Sequence, residues 1–397
     1  MNGAEGMFAD TKSGCKNYYW CTSTGNYYRS CQQGLLFSSQ HSLCDWATNV
    51  VCSTTPTPEP TPSPSPVPSP IATPPSPVAI SPSPSSPVPT PAPGTSTFKY
   101  VAYFQSWSDP WKGKAADSAL ANLPPYFTHV ILSFMSPDAT YSGGLTWAGT
   151  GLQFSSDPSV IKGAIALLKQ RNPGTKVLVA VGGATYTNFK NMNGAAIAKF
   201  VADFGLDGVD LDYEPTNANC VVRSGAVSCA TDAEFISSVN TLRTALPRPL
   251  ILSTAPFSVG AYGEGSWAYS QPASQYTGVS VNMLKAVGTK LDLLNIMSYD
   301  ASNAYNPKEA LDAYRYYFKG DIVLGVEVAN EAWGGHVINI PEVESISDYV
   351  KAKGGNGMML WSIQKPADQG PTATQISQTI CSKLGLLKCS CGFNCPL

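Results

Sequence analysis

The chain has 397 residues, more than one average domain, and its composition changes sharply along its length, which predicts two folded parts joined by a linker. Its formal net charge is -2 and 13% of its residues are charged, which excludes a basic surface for nucleic acid or for an anionic membrane. No apolar stretch is long enough for a transmembrane helix, and the start, MNGAEGMFAD, does not have the pattern of a signal peptide.

Residues 1–52 combine five cysteines with many aromatic side chains. A segment this short buries too little apolar surface to fold on its core alone, so we expect its cysteines to form disulfide staples. Flat aromatic rings can stack on the apolar face of a sugar, although some of them must form the small core. The candidates for ligand contact are Tyr18, Tyr19, Trp20, Tyr27, Tyr28 and Trp46.

The cysteine spacing C-x5-C-x9-C-x12-C-x7-C, with GLLF before the fourth cysteine and CDW at it, resembles the peritrophin-type chitin-binding module. That family carries one more cysteine near the amino terminus, which is absent here, as though the module were truncated at its start. The resemblance implies disulfides between Cys15 and Cys52 and between Cys31 and Cys44. It leaves Cys21 as a free thiol.

Residues 53–97 are dominated by proline, serine and threonine, in runs such as TPSPSPVPSP. Proline fixes φ and removes backbone donors, so neither helix nor sheet is expected. The segment is predicted to be an extended polyproline II spacer that tethers two largely independent parts.

Residues 98–380 contain eight short apolar runs that alternate with segments long enough for helices. Eight strands are the number that closes a (β/α)8 TIM barrel, and parallel strands buried on both faces explain the nearly continuous apolar runs. A doubly wound open sheet is the alternative. The predicted strands are 99–104, 129–134, 176–182, 208–214, 250–255, 293–299, 321–328 and 357–363.

The fourth predicted strand carries the sequence DGVDLDYE at 207–214. Successive side chains of a strand point to opposite faces, so Asp210, Asp212 and Glu214 would line one face. Crowding and burial raise the pKa of at least one of these carboxyls, which leaves a proton for general acid catalysis. The alternatives are a solvated surface strand and a calcium loop, but the glycine position does not fit an EF-hand loop.

The pattern D-x-x-D-x-D-x-E, filled by Asp207, Asp210, Asp212 and Glu214, resembles the signature of the family 18 glycoside hydrolases, the chitinases. The resemblance covers the whole predicted barrel, in which chemistry takes place at the carboxyl ends of the strands. Three further elements of that family are matched: AVGG at 180–183, MSYD at 297–300 and LWSI at 360–363.

The resemblance implies a retaining, substrate-assisted hydrolysis of β-1,4-linked N-acetylglucosamine polymers. Glu214 would protonate the glycosidic oxygen while the substrate's own 2-acetamido carbonyl attacks the anomeric carbon to form an oxazolinium ion. Asp212 would hold the acetamido N–H, Asp210 would share a proton with it, and Tyr299 would orient the acetamido oxygen. The implied sugar-binding residues are Tyr103, Phe134, Gly183, Met297, Asp300 and Trp361.

Simple core packing is the alternative for Tyr299 and Trp361. Some family members carry an α+β insertion between strands seven and eight, but the segment 328–357 is too short for it, so we expect an open groove and endo-type cutting. Two other functions stay open. One is a non-catalytic chitin lectin, although such members usually lack the acid that Glu214 supplies. The other is an endo-β-N-acetylglucosaminidase acting on glycoprotein glycans, against which the amino-terminal module argues.

The eleven cysteines fall into three groups, which indicates an oxidising compartment and therefore a secreted protein. Cys220 and Cys229 are expected to form a local disulfide in the loop after Glu214. Zinc binding is the alternative, but no C-x-x-C pair occurs and the histidines are scattered. We expect a monomer that binds chitin or chito-oligosaccharides and uses neither metal nor cofactor.

The last group of cysteines forms a tail, predicted at residues 381–397, that closes the chain end through two bridges. Spacing alone leaves their pairing open. The four residues are Cys381, Cys389, Cys391 and Cys395.

Overall fold

The computed structural model describes residues 6–22, 25–31, 35–39, 43–46, 50–52, 98–333 and 335–393. The predicted linker at 53–97 lies outside these residues, and so does Cys395. The chain divides into two compact units, Met1–Thr90 and Pro91–Leu397. Among the described residues, no helix has both the length and the apolar character needed to cross a membrane.

The first unit consists of short antiparallel strands in its described part. Three of them pair in the order β1-β2-β3, and β4 pairs with β5. A disulfide joins Cys15 to Cys52. The ring of Tyr18 stacks on the buried ring of Phe37, with centroids 4.4 Å apart, and so connects the two sheets. The strands are β1 (Gly6–Asp10), β2 (Asn17–Thr22), β3 (Gly25–Ser30), β4 (Leu35–Ser38) and β5 (Leu43–Trp46).

The second unit is a closed barrel of eight parallel strands. All eight predicted strands form, so the TIM barrel prediction is confirmed and the doubly wound sheet is wrong. A small antiparallel hairpin, β10 (Val221–Arg223) with β11 (Ala226–Ser228), lies in the loop after the fourth barrel strand. The barrel strands are β6 (Lys99–Gln105), β7 (His129–Met135), β8 (Lys176–Gly182), β9 (Gly208–Asp212), β12 (Ile251–Thr254), β13 (Leu293–Ile296), β14 (Asp321–Glu327) and β15 (Gly357–Trp361).

Seven α-helices accompany the barrel in its described residues. Between β6 and β7 the chain forms short 3-10 turns, at Ala115–Asp117 and Leu120–Asn122. Between β14 and β15 the described chain has one regular element, α6, so there is no α+β insertion there. The helices are α1 (Pro158–Arg171), α2 (Gly194–Phe204), α3 (Asp232–Ala245), α4 (Val281–Val287), α5 (Pro307–Tyr317), α6 (Ile340–Ala352) and α7 (Ala373–Leu384).

Helix α7 crosses the predicted domain boundary at 380. It begins with a capping box between Thr372 and Gln375 and ends at Gly385, whose φ of 67° is the left-handed conformation typical of a helix C-cap. Cys381 and Leu384 are buried against the barrel, so their packing extends the helix past the boundary. The cysteine-rich tail therefore starts after Leu384, and Cys381 belongs to the barrel.

The barrel has apolar packing on both sides of its strands. Val101, Leu178, Val323 and Met359 are fully buried and fill the interior. Residues of the opposite strand faces pack against the helix layer. Burial on both faces explains why the strands are nearly continuous apolar runs, and it makes the few polar residues on them conspicuous.

Candidate active site

The carboxyl ends of the barrel strands surround a cavity of about 330 Å³. Eight of the predicted site residues line it. Asp210 lies deeper in the barrel, and Gly183 lies against the ring of Phe134. The eight are Tyr103, Phe134, Asp212, Glu214, Met297, Tyr299, Asp300 and Trp361.

Asp210 is completely buried, and its carboxyl accepts three hydrogen bonds. The Tyr103 hydroxyl donates to Oδ2 at 2.7 Å, while the Ser253 hydroxyl and the Asn295 amide donate to Oδ1 at 2.6 and 2.9 Å. Burial raises its pKa, and these donors oppose that rise. Among the described residues, no hydrogen bond joins Asp210 to Asp212.

Asp212 ends β9 and is only 3% exposed. Burial raises its pKa well above the usual value, and the charges of Glu214 and Asp210 raise it further. Its Oδ1 is buried and has no hydrogen-bond partner within the described part of the chain. An unmatched acceptor at a cavity wall is suited to a donor supplied by a ligand.

Glu214 lies two residues beyond the end of β9, whereas the sequence predicted that the strand would continue to it. Burial raises its pKa to about 7, with a further contribution from the charge of Asp300, and the backbone N–H of Ala184 opposes the rise. A carboxyl of this pKa carries its proton at slightly acid pH and releases it readily near neutral pH. The structure thus provides a carboxyl that can act as acid and as base.

Tyr213 points away from the cavity and anchors this segment in the helix layer. Its ring stacks on Phe235 with centroids 4.2 Å apart and contacts Phe189 at 4.5 Å. Its hydroxyl donates to the Glu234 carboxylate at 2.7 Å. Because neighbouring residues of an extended chain face opposite sides, this anchor directs Glu214 toward the cavity.

Aromatic rings form one wall of the cavity. Trp361 stacks on Phe134 with centroids 5.5 Å apart and meets the edge of Tyr103 at 5.4 Å. Trp107 stacks on Phe134 at 5.8 Å and is 44% exposed. Sequence reasoning missed Trp107, although its position directly after the first barrel strand was a signal that could have found it.

Residue 183 must be a glycine because the Phe134 ring of this wall lies too close to its backbone for a side chain. Its φ is 74°, and a Cβ atom on it would lie 2.9 Å from the Phe134 ring. Its backbone N–H donates to the Asp212 carbonyl oxygen at 2.9 Å. A larger residue at this position would therefore displace Phe134.

Sequence reasoning also missed acidic residues on the seventh strand and the loop that follows it. Glu327 lines the cavity, and its Oε1 lies against the Lys365 ammonium group. Burial raises the pKa of Glu327 to about 8, and Glu331 has a pKa raised to about 8 for the same reason. A glutamate inside the apolar run DIVLGVEV was the signal, because a charge is seldom placed on a buried strand without a role.

The family model for "Glycosyl hydrolases family 18" matches residues 99–335, more than half of the chain. The chain belongs to family 18 of the glycosyl hydrolases. A second model, the "Chitin binding Peritrophin-A domain", matches residues 2–52. Both families were expected from the sequence motifs, and both expectations are confirmed.

This family 18 chain has relatives among curated proteins. It is 27% identical over 244 residues to "Chitinase 1" of Aphanocladium album, a match that covers 56% of this chain and 52% of that protein. It is 26% identical over 223 residues to "Endochitinase 1" of Metarhizium robertsii, covering 51% and 49%. The chain thus spans about half the length of these curated relatives.

Solved structures share the fold of the family 18 barrel. A human pseudo-chitinase, described as retaining chitooligosaccharide binding properties, is similar with a TM-score of 0.51 and 15% sequence identity. The match covers 72% of this chain and 100% of the human one. At this identity the similarity supports the fold alone.

The loop after Glu214 is held by the disulfide between Cys220 and Cys229. The backbone N–H of Cys220 donates to the Gln275 carbonyl oxygen at 3.0 Å, which joins this loop to the loop after β12. Tyr276 follows there, and burial raises its pKa, with a further contribution from the charge of Glu214. The disulfide loop therefore supports the rim beside Glu214.

The aromatic residues of the first unit divide into packed and exposed ones. Tyr18 packs on Phe37, whereas Tyr19 contacts Tyr28, with ring centroids 4.8 Å apart. Tyr28 is 52% exposed, and its hydroxyl donates to Asp10 at 2.6 Å. The remaining predicted aromatics have side chains outside the described part of the structure: Trp20, Tyr27 and Trp46.

Several cysteine predictions are tested only in part. Cys31 is disulfide-bonded, and the side chains of its predicted partner Cys44 and of the predicted free thiol Cys21 lie outside the described residues. Cys381 of helix α7 is bonded to Cys389 of the tail. Cys391 is disulfide-bonded as well. The remaining tail cysteine lies beyond the described residues.

Proposed function

We propose that this family 18 member is a secreted chitinase that cleaves β-1,4-linked N-acetylglucosamine polymers, with Glu214 as the acid and base. The observation that carries this proposal is the Glu214 carboxyl at the wall of the cavity, whose pKa is raised to about 7. An acid tuned to the working pH can donate its proton to a leaving oxygen and recover it from water afterwards.

The reaction we propose is substrate-assisted and retaining. Glu214 donates its proton to the glycosidic oxygen, and that bond to the anomeric carbon breaks. The carbonyl oxygen of the substrate's 2-acetamido group forms the new bond to the anomeric carbon, which yields an oxazolinium ion. Glu214 then accepts a proton from water, and the water oxygen opens the ring with retention.

Asp212 and Tyr299 act on the acetamido group in this proposal. The unmatched Oδ1 of Asp212 is the acceptor for the acetamido N–H. Tyr299 lines the same cavity and orients the acetamido oxygen. Asp210 supports Asp212 from below through its negative potential, which contributes to the raised pKa of Asp212 after burial and the charge of Glu214.

The aromatic wall provides the sugar-binding surface. Trp361, Phe134 and Trp107 present ring faces and edges to the cavity, and pyranose rings stack on such surfaces through their C–H groups. Tyr103 and Met297 complete the wall, and Asp300 contributes a polar group for the sugar.

We infer an endo-type cutting mode. The insertion that walls the cleft in some family members is not present between β14 and β15 within the described chain. A chitin chain can therefore enter the groove at an internal position. Early products from a hexamer should include trimers and tetramers rather than dimers alone.

We assign residues 1–52 to chitin binding and residues 53–97 to a tether that joins this module to the barrel. The match to the chitin-binding family supports the first assignment. The disulfides of the first unit, of the loop after β9 and of the tail support secretion into an oxidising compartment.

Replacing the acid tests the proposed function most simply. Glu214→Gln should reduce the rate of hexamer hydrolysis by at least about 10³-fold, because the amide cannot donate or accept the proton. The measurement is product formation from chitin hexamer resolved by chain length. Glu344→Gln is the matched control, since this exposed carboxyl on α6 lies outside the cavity.

If the activity of Glu214→Gln is within tenfold of the parent activity, Glu214 is not the catalytic acid. If the parent protein binds the hexamer but leaves it uncut, the chain is a chitin lectin. Release of only dimers at early times would contradict endo-type cutting.

A further inference from the structure

Glu327 has an oxygen that the protein leaves unmatched. Its side chain is only 2% exposed at the end of β14. Oε1 is paired with the Lys365 ammonium group, which also donates to the backbone oxygen of Asn330. Oε2 is buried and has no hydrogen-bond partner within the described residues. A buried carboxylate oxygen without a donor is costly, so this oxygen requires a physical explanation.

Asp300 lines the same cavity as Glu327. Burial raises the pKa of Asp300, and a side-chain hydrogen bond with Glu327 opposes that rise. Two ionised carboxylates are both acceptors, so a hydrogen bond between them exists only when one of them carries a proton. Two like charges in contact in a buried site do not both stay ionised, and the pair therefore keeps one proton.

We propose that Glu327 is a positioning residue, whose protonated carboxyl donates a hydrogen bond to Asp300 and holds Asp300 in place for the sugar. The inference rests on the proposed chitinase function, because that function assigns Asp300 to sugar binding. The Lys365 ammonium group occupies Oε1, and this leaves Oε2 as the proton-bearing atom.

Asp300 needs such support for two reasons. Its backbone has a conformation that few residues adopt, and its hydrogen bonds join two loops. Its φ is 50°, in the left-handed region. Its backbone N–H donates to Glu331 Oε2 at 2.9 Å, and its Oδ1 accepts from the backbone N–H of Trp333 at 2.8 Å. Trp333 lines the cavity and is 49% exposed. Losing the bond from Glu327 would therefore disturb both a polar and an aromatic contact to the sugar.

The charged groups around Glu327 set the pH at which this bond is lost. Asp300 and, when it is ionised, Glu331 present negative charge to it, and Lys365 presents positive charge. Burial and the charge of Asp300 raise the pKa of Glu327 to about 8. Below that pH the pair holds its proton and the bond exists. As the pH rises past 8 the proton is lost, the two carboxylates repel each other, and binding weakens.

Binding can be measured without turnover in a Glu214→Gln background, by calorimetric titration with chitin hexamer from pH 6 to pH 9. In this background alone, the hexamer should bind roughly tenfold more weakly at pH 9 than at pH 6, because pH 9 is one unit above the pKa of Glu327. Adding Glu327→Gln should keep the affinity at pH 6 within about threefold and leave it flat to pH 9. The amide oxygen still accepts from Lys365, and the amide NH2 donates to Asp300 at every pH.

Two further variants separate positioning from other effects. Glu327→Ala should weaken binding at pH 6 by about tenfold or more, because Asp300 loses a charge-assisted bond. Glu331→Gln is the matched control: its carboxyl also has a pKa raised to about 8, but its removal should keep the loss of affinity at high pH, with a midpoint at lower pH because the charge of Glu331 helps to raise the pKa of Glu327.

The proposal is overturned if Glu327→Gln retains the pH dependence, or if Glu331→Gln abolishes it instead. It is also overturned if Glu327→Ala, folded by circular dichroism, binds at pH 6 like its background. Should the alanine variant fail to fold, the isosteric glutamine variant decides alone. Failure of the Glu214→Gln background to bind the hexamer at any pH would contradict the proposed function itself.

Discussion

Asp300 links the acid of the proposed mechanism to the rest of the cleft. It contributes to the raised pKa of Glu214, and it also accepts from the Trp333 backbone and donates to Glu331. The resemblance of the motif MSYD to an element of family 18 could suggest a sugar contact for Asp300. It could not reveal the contacts to the loop after β14, because those depend on how two loops distant in sequence meet.

Asp300→Asn should move the pH profile of the reaction. Since the charge of Asp300 helps to raise the pKa of Glu214 to about 7, its removal lowers that pKa. The proposed acid must be protonated, so the alkaline limb of the kcat/KM profile should shift to lower pH. A change in KM would alter the height of the profile and not the pH of this limb. The measurement is the pH dependence of kcat/KM for chitin hexamer.

Asp348→Asn serves as the control for this change, because Asp348 is an exposed residue of α6 that pairs with Lys383. Its alkaline limb should match that of the parent. An alkaline limb of Asp300→Asn that stays in place or moves to higher pH would contradict the electrostatic link between Asp300 and Glu214.

At the scale of elements, the barrel strands were predictable because burial on both faces leaves a continuous apolar run. Their ends were less predictable: the fourth strand was extended to Glu214 although pairing stops at Asp212. The predicted domain boundary at 380 falls inside helix α7, because the last turn of this helix is stabilised by burial against the barrel, which the local sequence does not show. Glu327 and Trp107 were missed because they line the cavity together with residues of strands that become neighbours only when the barrel closes.

Gly183→Ala tests the close contact between the third strand and the aromatic wall. The left-handed φ of 74° should cost roughly 1–2 kcal/mol of unfolding free energy. The added Cβ should displace Phe134 and raise KM for the hexamer several-fold. Unfolding in urea and steady-state kinetics measure the two effects.

Gly385→Ala is the matched control, with a φ of 67° and no atom within 4 Å of an added Cβ. It should lose similar stability while its KM stays that of the parent. Equal KM values for the two variants would show that the Phe134 contact does not shape the sugar-binding surface.

At the scale of the whole molecule, the chain has two compact units, and the sequence distinguishes them by composition. The cysteine and aromatic pattern predicted the first unit, and the carboxylate motif predicted the family of the second. Both parts match family models, a glycosyl hydrolase family 18 domain and a chitin-binding Peritrophin-A domain.

Tyr28→Ala should weaken adsorption of the full chain to insoluble chitin while the hydrolysis of soluble hexamer stays within about twofold of the parent. The exposed ring of Tyr28 is available for stacking on the polymer. Adsorption isotherms and hexamer kinetics measure the two properties. Tyr269→Ala is the control, since this exposed tyrosine belongs to the barrel unit. Unchanged adsorption of Tyr28→Ala would exclude Tyr28 from the chitin contact.

The most direct test of the proposed mechanism is the anomeric form of the first products. Proton NMR spectra recorded within minutes of mixing the protein with chitin hexamer distinguish β from α anomers before mutarotation mixes them. The proposal predicts β anomers at the new reducing ends, because two successive displacements at the anomeric carbon retain its configuration. Initial formation of α anomers would mean a single displacement by water and would contradict the substrate-assisted mechanism.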